Sequence, residues 1–116
     1  GEGIFFILDS LSTLLIYNSE NEVLRFMEVN MARMKHGNNV GIFVVSEGIH
    51  TGAFYISLRQ MADVILELRV EDRKEIKRFI RMYLFKGGPH NTKWLPYRIN
   101  SNGEAVIRII QRSKKE

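Results

Sequence analysis

Ile4-Phe5-Phe6-Ile7-Leu8-Asp9-Ser10 carries five consecutive apolar residues straight into an aspartate and a serine, with a second apolar run, Leu11 to Tyr17, behind them. A continuous apolar run of this length predicts a strand buried on both faces, the pattern of a parallel sheet covered by helices. In such sheets the chemistry gathers at the carboxyl ends of the strands. Asp9 is therefore placed to hold a metal ion, with Mg²⁺ beside a nucleotide phosphate as the usual case. A plainer reading, in which Asp9 caps the following segment, fits the same pattern.

Working outward, Leu11 to Tyr17 reads as a short helix or loop packed on the sheet. Ser19 and Glu22 then form a capping box that starts a helix. Val23, Phe26, Met27, Met31 and Met34 follow at helical spacing as one apolar stripe. The stripe ends at Lys35-His36-Gly37, where cations suit the last turn and Gly37 suits the residue after the cap, so His36 reads as a capping residue rather than a ligand. Val40 to Val45 is a second buried strand, and strand, helix and strand in that order predict a right-handed βαβ unit. It ends in Ser46-Glu47, which places Asp9, Ser46 and Glu47 along one edge of the sheet. Gly48 and Gly52 flank a loop suited to moving over a ligand, or to a plain surface turn.

Ala53 to Met61 predicts a short helix carrying Tyr55, Leu58 and Met61 inward. Asp63 to Val70 is a third strand, and Ile76 to Phe85 alternates with a period of two, which predicts an antiparallel hairpin. One face of that last strand would carry Ile76, Arg78, Ile80, Met82 and Leu84; the other would carry Lys77, Phe79, Arg81, Tyr83 and Phe85. Arg69, Arg73, Lys74, Lys77, Arg78 and Arg81 make this hairpin the most basic part of the chain. Basic and aromatic residues interleaved in this way could engage nucleic acid, but they better suit a charged, aggregation-resistant hairpin at an open sheet edge. Trp94 to Ile99 and Ala105 to Ile110 form a final hairpin, and the tail Arg112 to Glu116 is expected to fray.

The 116 residues make one domain or part of one, with a net charge of +4 and no cysteine. That excludes disulfides and thiolate metal sites and suits a reducing cytoplasm. No apolar run approaches the ~20 residues needed to span a membrane. No repeat, linker or secretory signal is visible, and a core strand beginning at once after Gly1-Glu2-Gly3 suggests an upstream segment. No complete nucleophile–base set stands out among Ser, His and Asp, and the three histidines lack metal-ligand spacing.

Four segments in order resemble the C-terminal half of a KaiC-like ATPase domain, a branch of the RecA superfamily. Ile7-Leu8-Asp9-Ser10-Leu11-Ser12 resembles the Walker B strand and the Asp-Ser-Leu-Ser that follows it. Val44-Val45-Ser46-Glu47 resembles the next strand, ending in a hydroxyl residue and an acid. Met61-Ala62-Asp63-Val64-Ile65 resembles the family's Ala-Asp segment. Gly87 through His90 with Leu95-Pro96-Tyr97-Arg98-Ile99 resembles its closing glycine–histidine turn and hairpin. The implied fold is α/β: a partial RecA-like mixed sheet with a parallel βαβ core followed by C-terminal antiparallel hairpins.

The resemblance implies an ATP-binding domain, archaeal and heat-adapted in composition, in which Asp9 holds Mg²⁺ with Ser10 beside it. Ser46 and Glu47 would sense the γ-phosphate or its attacking water. The family's P-loop, Gly-x-x-x-x-Gly-Lys-(Ser/Thr), is absent, as are the catalytic glutamates that follow it. The intact protein would use ATP and Mg²⁺, and this chain alone would hold neither tightly nor hydrolyse ATP. Aligned on Gly87, the family's Lys-x-Arg-Gly segment, which reaches a neighbouring subunit's nucleotide, places Leu84 at the lysine and Lys86 at the arginine. Lys86 is left as the candidate contact between subunits. A non-catalytic scaffold or signalling module is the alternative function, and a nucleic-acid-binding recombinase-like module the third. In the fold this resembles, the P-loop strand lies between the strands matching Val40–Val45 and Asp63–Leu68. Without it, those two strands are expected to close onto each other or to exchange strands between copies, giving a homo-oligomer unless the missing N-terminal half fills the slot.

Overall fold

A computed structural model describes residues 3–107. The chain divides between Ala62 and Asp63 into two compact units. The first unit opens with β1 (Phe5–Asp9), α1 (Leu11–Leu14) and α2 (Glu20–Met34), followed by β2 (Val40–Val44) and α3 (Gly52–Met61). β1 and β2 are parallel, with Phe5 opposite Val40, Ile7 opposite Ile42 and Asp9 opposite Val44. The βαβ unit read from the sequence is therefore present.

Alternation replaces the expected burial on both faces. Leu8 and Phe43 turn inward, whereas Phe5 and Ile7, 63% and 59% exposed, share an outer face with Val40, Ile42 and Val44. All the helices of this unit leave that face open, so a run that is apolar throughout is covered on one side only. The core is Leu11, Val23, Met27 and Phe54, with Leu24, Met31, Leu58 and Met61 packed around it.

α2 starts as its sequence dictates. Ser19 Oγ accepts from the Glu22 N–H at 3.1 Å, and Glu22 Oε1 accepts from the Ser19 N–H at 3.0 Å. Its inward stripe is Val23, Leu24, Met27 and Met31, and Phe26 is turned outward, a correction to the predicted stripe. Phe26 lies about 300° around the helix from Val23, at the edge of the 100°-wide face that the core accepts. After the cap at Lys35, Gly37 takes φ +94°, a left-handed conformation that a β-carbon disfavours. The His36 carbonyl accepts from Asn39 Nδ2 at 2.7 Å, in keeping with a terminating role.

The second unit is one antiparallel sheet of order β3-β4-β5-β6, built from β3 (Val64–Asp72), β4 (Ile76–Phe85), β5 (Leu95–Ile99) and β6 (Ala105–Ile107). None of its described residues is fully buried. β2 belongs to the two-stranded parallel sheet and β3 to the four-stranded antiparallel one. Each already has a partner along one edge, β1 for β2 and β4 for β3. The predicted continuation of the last strand to Ile110 and the fraying tail lie outside the described residues.

A bulge corrects the face assignment in β4. Ile65 pairs with Leu84 and Leu66 with Met82, so the register steps over Tyr83 as one inserted residue. One inserted residue reverses every side chain beyond it. Phe85 therefore joins the face of Val64, Leu66 and Met82, and Leu84 joins that of Ile65, Glu67 and Arg81.

Candidate functional site

The carboxyl edge of β1 and β2 gathers the residues singled out in the first unit. Asp9 is the last residue of β1 and is exposed. No hydrogen bond or ion pair among the described residues engages its carboxylate. The capping role belongs instead to Ser10, whose Oγ accepts from the Thr13 N–H at 3.2 Å, and the Asp9–Ser10 peptide bond is cis. Asp9 pairs in register with Val44, and two residues later the chain reaches Ser46 and Glu47, both exposed. Lys86 lies in the second unit just beyond β4, with its N–H donating to the Asp63 carbonyl at 2.9 Å.

The loop after β2 is tied down by two side chains that the sequence reading did not connect to it. Ser12 Oγ accepts from the Ser46 N–H at 2.9 Å and lies 2.8 Å from His50 Nε2. The Tyr55 hydroxyl donates to the Ser46 carbonyl at 2.6 Å and accepts from the N–H groups of Ile49 and His50, both at 3.3 Å. One phenol thus uses its single proton and both lone pairs on one loop. At the far end Thr51 caps α3, its Oγ1 accepting from the Phe54 N–H at 3.2 Å. Glu20, at the start of α2, accepts from both the hydroxyl and the N–H of Thr51. The segment between Gly48 and Gly52, read as suited to motion, is therefore held at both ends.

Hydrogen bonds from the Thr51 side chain, and then from its N–H, hold the Glu20 carboxyl below the usual glutamate range, with a smaller contribution from His50. The Ser19 N–H and hydroxyl do the same for Glu22. In both cases the carboxylate form favours the fold. The stability they confer is complete above the ordinary glutamate pKa of about 4.3 and is lost as pH falls through the lowered folded value. Glu20→Gln should accordingly flatten the acid limb of the stability profile of the helices, read by far-ultraviolet circular dichroism, and leave the neutral limb parallel to wild type. An unchanged slope below about pH 4.3 would show that the Thr51 contacts do not persist in solution.

The described residues contain no cluster of three or more His, Asp or Glu side chains able to hold a metal. Asp9 alone suits a cation that keeps most of its water and takes its other ligands from phosphate, the habit of Mg²⁺. In the second unit, two of the arginines are engaged within the sheet itself. Arg81 Nε lies 2.6 Å from Glu67 Oε1, and the Arg81 and Arg69 guanidiniums sit 4.6 and 4.5 Å from the Trp94 ring centroid.

No protein-family model and no curated protein matches the sequence. Comparison with solved structures does find relatives. A KaiC-like protein from the hyperthermophilic archaeon Pyrococcus horikoshii superposes with a TM-score of 0.68 at 18% identity, over 90% of this chain and 46% of that one. An uncharacterized protein from the same organism, crystallised in complex with an unknown peptide, gives 0.67 at 21% identity, over 93% of this chain and 44% of that one. The chain thus shares the α/β fold of a KaiC-like protein and spans less than half the length of these two proteins.

Proposed function

We propose that this chain is the C-terminal portion of a KaiC/RecA-like ATP-binding domain, inactive without a P-loop supplied from elsewhere in the intact protein. Asp9 holds Mg²⁺ with Ser10 beside it, Ser46 and Glu47 face the γ-phosphate or its attacking water, and Lys86 reaches a nucleotide on a neighbouring subunit. The observation that carries the reading is the exposed, unengaged Asp9 carboxylate at the end of β1, in register with the strand that leads to Ser46 and Glu47. Magnesium beside Asp9 would neutralise charge building on the phosphates. The apolar outer face of β1 and β2 supports further polypeptide packed there, either the rest of the domain or a second copy. The hyperthermophilic archaeal source of both structural relatives supports the archaeal, heat-adapted reading.

Titration of the chain with Mn²⁺, followed by amide resonances, tests the metal assignment. Broadening should centre on Ser10, Val45 and Ser46 and disappear in Asp9→Asn. Broadening that survives this substitution, or that centres on Glu71 and Asp72, would overturn it. Calorimetry with Mg-ATP should show binding weaker than about 1 mM, because no phosphate-cradling loop is present; tight binding would contradict the reading.

A non-catalytic scaffold is the second reading, and Leu84 favours it. It stands where the family's subunit-bridging lysine would fall, yet it is a ladder residue opposite Ile65. The nucleic-acid reading has less support, since Arg81 is committed to Glu67 and Trp94.

A further inference from the structure

The Ser12–His50 contact has a chemistry that the nucleotide reading does not use, and it opens onto a cavity. We propose that Ser12 and His50 form a nucleophile–base pair that hydrolyses small carboxylic esters, independently of any nucleotide. Ser12 Oγ lies 2.8 Å from His50 Nε2, within the range needed for direct proton transfer. Both side chains are only partly buried, and both line an open cavity of about 300 Å³ with Leu15, Ile16, Asn18, Glu20 and Ile49.

Three features favour reaction over a passive contact. The Ser46 N–H donates to Ser12 Oγ, which stabilises negative charge on that oxygen as its proton leaves. Edge contact with the Phe54 ring, at 5.4 Å between centroids, fixes the imidazole plane. The Glu20 carboxylate lines the same cavity, and its charge favours the imidazolium that forms.

In the step proposed, Ser12 Oγ bonds to the ester carbonyl carbon as its proton passes to His50 Nε2. Collapse of the tetrahedral adduct breaks the carbon–alkoxy bond, and the alcohol leaves with that proton. Water, deprotonated by His50, then releases the acid and restores Ser12. Leu15, Ile16 and Ile49 supply an apolar wall for the acyl chain, and the charge on Glu20 disfavours anionic acyl groups. The substrate class is therefore a short ester whose acyl group is neutral or cationic.

The test uses the whole chain with p-nitrophenyl acetate and, separately, a fluorophosphonate probe mapped by mass spectrometry. Wild type should turn the ester over, and the probe should attach to Ser12. His50→Gln keeps a hydrogen-bonding group next to Ser12 but cannot take up a proton, so the rate should drop about 100-fold with the helices intact. Glutarate monoester, whose acyl group is anionic, should react more slowly than butyrate ester. Equal rates for wild type and His50→Gln, or probe attachment no faster to Ser12 than to other serines, would overturn the proposal and leave a structural hydrogen bond only. Probe mapping on the wild-type chain decides the matter even if the variant does not fold.

Discussion

Phe54→Ala should cost the helical unit about 3–5 kcal/mol, the range for removing a fully buried phenylalanine side chain. Phe54 is only 1% exposed and is one of four buried side chains on which α1, α2 and α3 converge. It also holds the His50 ring in place. Against the roughly 5–15 kcal/mol that stabilises a typical domain, little of the margin would remain. The units can be followed separately in one sample. All the described helices precede Ala62, so circular dichroism at helical wavelengths reports the first unit, and the chain's single tryptophan, Trp94, reports the second by fluorescence. The helical transition should move much further than the Trp94 transition. A shift of the helical transition worth less than about 1 kcal/mol would mean that the site collapses around the deletion, and that Phe54 does not organise this core.

In the second unit the largest single effect is expected from Arg81→Ala, about 1.5–3 kcal/mol. Glu67 and Arg81 stand opposite each other in the β3–β4 ladder, with side chains 15% and 29% exposed. Removing the arginine leaves a shielded carboxylate without its partner and strips the stem and guanidinium from the Trp94 ring. Because no described residue of this unit is fully buried, cross-strand pairs carry a larger share of its stability than in a two-layer fold. Replacing both partners by apolar residues of similar size, Glu67→Leu with Arg81→Met, should recover most of the loss, since no charge is then stranded. Denaturant titration followed by Trp94 fluorescence measures both. A double variant as unstable as Arg81→Ala would show that packing on the indole, and not the charge pair, sets the cost.

Local patterns with a single physical cause were readable without coordinates. Ser19 and Glu22 announce a helix start because each satisfies the other's orphan amide, and β4 runs from Ile76 to Phe85 because a period of two has no helical use. Asp9 follows an apolar strand and does end it. What was not legible depended on distance in the chain. Ser12 reaches His50 across 38 positions, and Glu20 reaches Thr51 across 31, contacts that no local spacing encodes. The open outer face of β1 and β2 was missed for a different reason: an apolar run states that both faces tolerate burial, not that this chain has the material to bury them. Phe54 was passed over because Tyr55, beside it, fits the amphipathic pattern equally well; the structure spends the ring of one on packing and the hydroxyl of the other on the loop.

The extra residue at Tyr83 bears on how this chain should be aligned with its structural relatives. The carbonyl of Tyr83 lies 3.4 Å from His90 Nε2, so the turn that follows helps to settle the residue that the register steps over. Upstream of it β4 keeps one phase and downstream the opposite phase, and the segment carrying Leu84 and Lys86 belongs to the second. A one-position gap placed before or after Tyr83 changes a sequence score very little, yet it exchanges the outward-facing and inward-facing residues over the whole strand end. Correspondence in this segment is therefore fixed by counting from Gly87 backward and not from Ile76 forward, and a functional residue transferred across the bulge by simple counting lands on the wrong side of the sheet.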